Sequence, residues 1–263
     1  MPTPLRRASS RLFGWMSDLR LPRALRAPVY RAYGRQFGVD LSELRLPLEE
    51  HPSFGAFFVR RLREGARPFP ADPSVLPSPA DGYLQSLDPI RDGLVLQAKG
   101  RPYAVRELLA GAGEDRELEG GHAWTIYLSP RDYHRVHSSE DSALAEVRWV
   151  RGARYSVDPR VLARRPRVLS INERAVLRLE GANGTLLLVM VGALNVGRIR
   201  VVGVEPWRSG APHPPKAFRR GEELARFEMG STVVLIAPRG GPVPVEGLAA
   251  GAHVRMGQVI GRR

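Results

Sequence analysis

Hydrophobic and polar positions change rhythm along this chain near Pro68. Before it, apolar residues recur at helical spacing. Leu12, Phe13, Trp15, Met16 and Leu19 can share one broad face, and Arg6, Arg7, Arg11, Arg20, Arg23 and Arg26 surround it. The pattern predicts short helices broken at Pro22 and Pro28. Residues 53–67 read as a capped helix start followed by a basic end. After Pro68, short β-rich runs alternate with Gly/Pro turns, at 82–87, 94–98, 123–128, 145–150, 175–179, 185–191, 196–204, 232–236 and 253–260. A short helix is predicted at 105–110 and a surface loop at 206–215. The expected fold is α+β and mainly β. An antiparallel sandwich or barrel-like core follows an N-terminal basic amphipathic helical segment.

Composition narrows the chemistry. The chain has 263 residues, 43% hydrophobic and 25% charged, with no cysteine. Disulfides, a thiol nucleophile and thiolate metal sites are excluded. The formal net charge is +13, nearly all from arginine, since Lys99 and Lys216 are the only lysines. Such a chain is drawn to anionic surfaces, whether nucleic acid or acidic lipid. Against nucleic acid, the arginines are dispersed and no recognised motif is present. The longest apolar run, around 186–196, contains Gly192 and Asn195 and reads as a buried strand pair, too short to span a bilayer. The basic, aromatic first segment suits a membrane surface, and equally an ordinary helix docked on the core. No signal peptide is evident, which points to the cytosol or the inner face of a membrane.

Three local patterns carry chemistry. In Pro77-Ser78-Pro79-Ala80-Asp81-Gly82 the prolines stiffen the mount of a carboxylate, although Asp-Gly is most often only a turn. Tyr127 to His137 holds His134 and His137, two of six histidines. Histidine is the usual general base near neutral pH. The H-x-x-H spacing also matches two metal ligands, but a zinc site needs a third, and no metal is expected. Met229-Gly230-Ser231-Thr232 enters an apolar strand, where a turn or bulge is the ordinary reading. The alternative is self-cleavage. The Ser231 hydroxyl attacks the unshielded Gly230 carbonyl to give an ester. Elimination and hydrolysis then leave a pyruvoyl group and release ammonia.

Together, in this order, these motifs resemble the phosphatidylserine decarboxylase family over nearly the whole chain. Phe57-Phe58-Val59-Arg60-Arg61-Leu62 with Ala66-Arg67-Pro68 is similar to the family's N-terminal signature. Ser78 to Gly82 resembles its aspartate motif, Tyr127 to His137 its histidine motif, and Met229 to Thr232 its processing motif. Leu96 to Gly100, Tyr103, Leu108 to Gly111, Asn172 to Arg174 and Val191 to Ala193 also fall in place. Met229 stands where family members commonly have Leu.

The resemblance implies roles. Asp81, His137 and Ser231 form the self-cleavage triad, with Gly230 supplying the attacked carbonyl, and His134 acts in the decarboxylation that follows. The cofactor is a covalent pyruvoyl group made from Ser231. Its carbonyl is the electron sink that pyridoxal phosphate supplies elsewhere. Residues 1–50 would associate with the membrane and 51–263 form the catalytic domain, cut into a β chain (1–230) and an α chain (231–263). The expected partners are phosphatidylserine, an anionic membrane surface, the two chains of the proenzyme itself and a second copy in a homodimer, with no nucleic acid. The expected location is the cytoplasmic face of the cell membrane, as a peripheral protein. A hydrolase keeping Ser231 as a stable nucleophile is the competing enzyme reading, but it lacks a G-x-S-x-G elbow.

Overall fold

The computed structural model describes residues 15–96, 101–113, 115–193, 198–228 and 231–263. Leu12 and Phe13, the run 97–100 with Lys99, Asn195, and the Met229-Gly230 pair lie outside the described residues.

The N-terminal region is helical, as its periodicity predicts. Residues 15–18 are helical, and helix α1 spans Arg23–Phe37 with Pro22 as its N-cap. The expected break at Pro28 does not occur; the proline sits inside α1. It forfeits one backbone bond, and tertiary packing makes up for it. Ala27, Tyr30 and Gly34 fall on one buried stripe, and Tyr30 stacks on Phe57 with ring centroids 4.5 Å apart. Phe57 belongs to helix α2, Phe54–Phe58, capped by the Ser53 hydroxyl, which accepts from the Ala56 N–H. These residues and Leu48 form a small core of their own.

The rest is an antiparallel β structure. Its strands are β1 Val75–Pro77, β2 Gly82–Pro89, β3 Leu94–Leu96, β4 Pro102–Ala104, β5 His122–Leu128, β6 Arg135–His137, β7 Ser142–Val150 and β8 Arg174–Gly181. They continue as β9 Gly184–Gly192, β10 Ile199–Val201, β11 Lys216–Phe218, β12 Glu223–Phe227, β13 Ser231–Ala237, β14 Val243–Pro244, β15 His253–Val254 and β16 Val259–Arg262. Eight of them form one sheet in the order β11-β7-β8-β9-β13-β5-β2-β15, open at both ends. The mainly β fold matches expectation. The run expected to be a strand pair is the single strand β9 as far as Gly192.

β13 lies between β5 and β9, and all seven of its residues are buried. A strand buried on both faces reads as a continuous apolar run. Val233, Leu235, Trp124, Ile126, Leu188 and Met190 point into one core. The small sheet β10-β12-β6 closes that face through Ile199, Val201, Phe227 and Val136. Val234, Ile236, Leu187 and Val189 point into the other core, covered by the helices Val105–Leu109 and Val168–Ile171.

Candidate active site

The chemistry-bearing residues converge on one end of the large sheet. Ser231 opens β13, opposite Leu128 at the end of β5 and Gly192 at the end of β9. Asp81 immediately precedes β2. A Cβ on Gly82 would lie 2.5 Å from the Tyr127 carbonyl oxygen, so only glycine lets β2 start this close to β5. The chain leaves β5 through Ser129 to Tyr133 and returns as β6, which carries His137. The His137 N–H donates to the Pro79 carbonyl at 2.8 Å, seating it beside the aspartate mount. The Phe227 N–H donates to the His134 carbonyl at 2.9 Å, four residues before Ser231.

The two histidines have different surroundings. His137 Nδ1 lies 2.8 Å from the Gly221 carbonyl, which can only accept, so Nδ1 carries the hydrogen. Nε2 is then the basic nitrogen, and it accepts from the Tyr133 hydroxyl at 3.3 Å. Burial pulls the His137 pKa below the ordinary value. The Gly221 bond and the charges of Glu223 and Asp81 push the other way. His134 is fully buried, with its ring 4.1 Å from that of Phe58. Its Nδ1–H donates to the Asp132 carbonyl at 2.9 Å, and among the described residues its Nε2 has no partner. Burial, reinforced by the charge of Arg60, lowers its pKa to about 3. Its resting state is a neutral ring.

Ser231 is fully buried, and its Oγ bonds to nothing among the described residues. No direct hydrogen bond among the described residues joins the side chains of Asp81, His137 and Ser231. The Asp81 carboxylate accepts instead from Arg67 and from the Met256 N–H, at 2.7 Å for the latter. Its charge still reaches His137 through space. Asp132 organises the connecting loop. Its Oδ2 accepts from the Ser129 N–H and hydroxyl, its Oδ1 lies 2.9 Å from His253 Nε2, and its carbonyl accepts from both His134 and Arg60. A polar cavity of about 210 Å³ opens here, lined among others by Arg60, Arg67, Asp81, Tyr133 and His253. Among the described residues, no group of three or more His, Asp or Glu side chains is placed to hold a metal ion.

Comparison with known proteins gives the family. The family profile for phosphatidylserine decarboxylase matches residues 54–262. The phosphatidylserine decarboxylase proenzyme of Xanthomonas campestris pv. campestris (strain B100) is 42% identical over 239 residues, covering 87% of this chain and 85% of that protein. The proenzyme of the same name from Azotobacter vinelandii is 37% identical over 269 residues, covering 96% of this chain and 93% of its own. The chain belongs to the phosphatidylserine decarboxylase family. The matched span contains Asp81, His134, His137 and Ser231 but begins after α1. Several residues that shape this site are given no role by the sequence. Arg67 is read only as part of the N-terminal signature, fourteen positions from the carboxylate it holds, His253 sits in an unpatterned context, and Tyr133 and Asp132 are read only as neighbours of the histidines.

Proposed function

We propose that this decarboxylase is a self-cleaving proenzyme that cuts itself between Gly230 and Ser231 and turns Ser231 into a pyruvoyl group. With that group it converts phosphatidylserine to phosphatidylethanolamine and CO2. The observation that carries the reading is the Ser231 hydroxyl. It is buried at the head of the central strand with no partner among the described residues, opposite Leu128, where β5 leads into the loop that carries His134 and His137. An unpaired buried hydroxyl costs stability and calls for an explanation, and a nucleophile's role supplies one.

His137 Nε2 takes the Oγ proton as Oγ bonds to the Gly230 carbonyl carbon. The C–N bond breaks as that proton passes to the Ser231 nitrogen, leaving an ester and a free α-amine. Loss of the Ser231 Cα proton then breaks the Cβ–Oγ bond and frees the Gly230 carboxylate. Water hydrolyses the remaining enamine, through its imine form, and ammonia departs. Asp81 raises the proton affinity of the His137 ring by charge, as the acid of a nucleophilic triad does. In the second reaction the pyruvoyl carbonyl supplies the electron sink for loss of CO2. There His134 offers Nε2, the one ring atom its Asp132 bond leaves free, to receive or pass a proton.

The membrane surface is the other partner in this reading. Trp15, Met16 and Leu19 are 60%, 52% and 45% exposed, and Leu25, Val29, Phe37 and Leu46 are exposed beside them in sequence. Exposed apolar side chains among arginines fit the headgroup boundary of an anionic bilayer. No described helix is long and apolar enough to cross one. The reading places the enzyme on the cytoplasmic face of the cell membrane.

The two histidines provide the test. His137→Ala leaves the chain uncut on a denaturing gel. His134→Ala cuts, yet loses decarboxylation by about 10²–10⁴-fold. Equal failure of cleavage in both variants contradicts this division of roles.

A further inference from the structure

Asp81 is held by a device outside its own motif, built from Arg67 and Glu43. The Arg67 guanidinium has five N–H donors, and every one is used. Nε and Nη2 donate to Asp81 at 2.9 and 2.7 Å. Nη1 and Nη2 each donate to Glu43 at 2.8 Å, and the second hydrogen of Nη1 goes to the Ala66 carbonyl at 2.8 Å. The three side chains are nearly sealed from solvent, at 7% exposure for Arg67, 5% for Asp81 and 12% for Glu43. A fork bound on both sides is planar and has one arrangement. The Met256 N–H takes a further lone pair of Oδ1. The carboxylate is therefore held by two residues, Arg67 from before the scissile bond in sequence and Met256 from after it.

We propose that Arg67 is the positioning residue for Asp81 in self-cleavage, and that Glu43 in turn holds Arg67. This inference rests on the assignment of Asp81 to the cleavage chemistry. Asp81 acts on His137 by charge rather than by a bond, so its effect depends on where the carboxylate sits. Without the fork, the carboxylate would rotate about χ2 and take solvent or another cation. Lysine keeps the positive charge and cannot reproduce the fork, having three donors on one atom. Burial works against the Arg67 charge, and the bonds to Asp81 and Glu43 outweigh it, so its pKa lies above the ordinary value. The guanidinium stays charged throughout processing.

The experiment follows cut and uncut chain with time on a denaturing gel for purified Arg67→Ala, Arg67→Lys, Glu43→Gln and Asp81→Ala, with a thermal melt of each. Arg67→Ala is expected to cut about 10–100-fold more slowly, the usual cost of removing a side chain that orients a reacting one. Added guanidinium at millimolar concentration should speed Arg67→Ala and leave Asp81→Ala uncut. A residue needed only for folding would show no such rescue in already folded protein. Arg67→Lys should be folded yet slow, and Glu43→Gln slowed less. If Arg67→Ala fails to give a cooperative melt, Arg67→Lys and Glu43→Gln carry the test. Wild-type cutting rates in the folded Arg67 variants, with Asp81→Ala inert, overturn the role of Arg67 and leave that of Asp81 standing. Normal cutting by Asp81→Ala overturns the assignment of Asp81 itself, and the Arg67 proposal with it.

Discussion

The N-terminal helices and the large sheet spend their apolar residues in opposite ways. In the sheet, β5, β9 and β13 bury apolar side chains on both faces, and Trp124, Ile126, Val233 and Val234 are wholly inaccessible. In the helical region one narrow stripe is buried, Ala27, Tyr30 and Gly34, while Trp15, Met16, Leu19, Leu25, Val29 and Phe37 face outward. Apolar content alone does not tell a core from a contact surface. Supply of partners does: β13 has a strand on each side and a layer on each face, whereas among the described residues α1 packs on one side, against a small cluster that includes Leu41, Leu44, Leu48 and α2. The exposed apolar residues gathered in this segment are the proposed membrane-contact surface. The hydroxyl of α1 Tyr33 donates to the Pro130 carbonyl at 3.0 Å, tying that surface to the loop that leads to the histidines.

Two tryptophans sharpen the contrast. Trp124 is buried and donates from Nε1 to the Ile260 carbonyl at 3.1 Å, across the Gly230–Ser231 position. Trp124→Ala should lose about 3–5 kcal/mol in urea unfolding, since it opens a large cavity and leaves that carbonyl with the Val245 N–H as its remaining donor. Trp15→Ala should change stability by less than about 0.5 kcal/mol. It should instead weaken co-sedimentation with vesicles containing anionic lipid. Undiminished vesicle binding after removal of Trp15, Met16 and Leu19 together would erase the distinction between the two regions.

Acid provides a smaller effect confined to the core. The His134 pKa is lowered from 6.5 to about 3, with burial the first cause. As pH falls below 6.5 the unfolded chain takes a proton that the folded chain refuses. The stability is fully present above 6.5 and is lost progressively toward 3, at about 1.4 kcal/mol per pH unit. His51, His122 and His137 shift in the same direction. The melting temperature should fall between pH 7 and pH 5, whereas Trp15→Ala leaves that slope unchanged. A flat profile over this range would mean that the folded protein accommodates charged imidazoles.

Much of the sheet was legible in the sequence because Gly and Pro punctuate its apolar runs. The strands it hides are the polar ones. β12 carries Glu223 and Arg226, and β6 opens with Arg135; these look like loop residues until Arg135 Nη1 meets Glu223 across the pair at 2.5 and 2.7 Å. Pro28 misleads in the other direction, since the Tyr30–Phe57 stack holds α1 together past it. At the site, Asp81, the histidines and Ser231 stand out by local pattern. Arg67 and His253 act through contacts between residues distant in sequence, with Asp81 and Asp132, which no local spacing encodes.

The central claim is a break in the chain, and intact-mass analysis of freshly purified, denatured protein tests it most directly. Two pieces are expected, residues 1–230 and 231–263, and the smaller should lack an α-amine and react with a carbonyl reagent. Ser231→Ala should give one uncut, inactive chain. One unbroken chain in catalytically active wild-type protein would contradict the account.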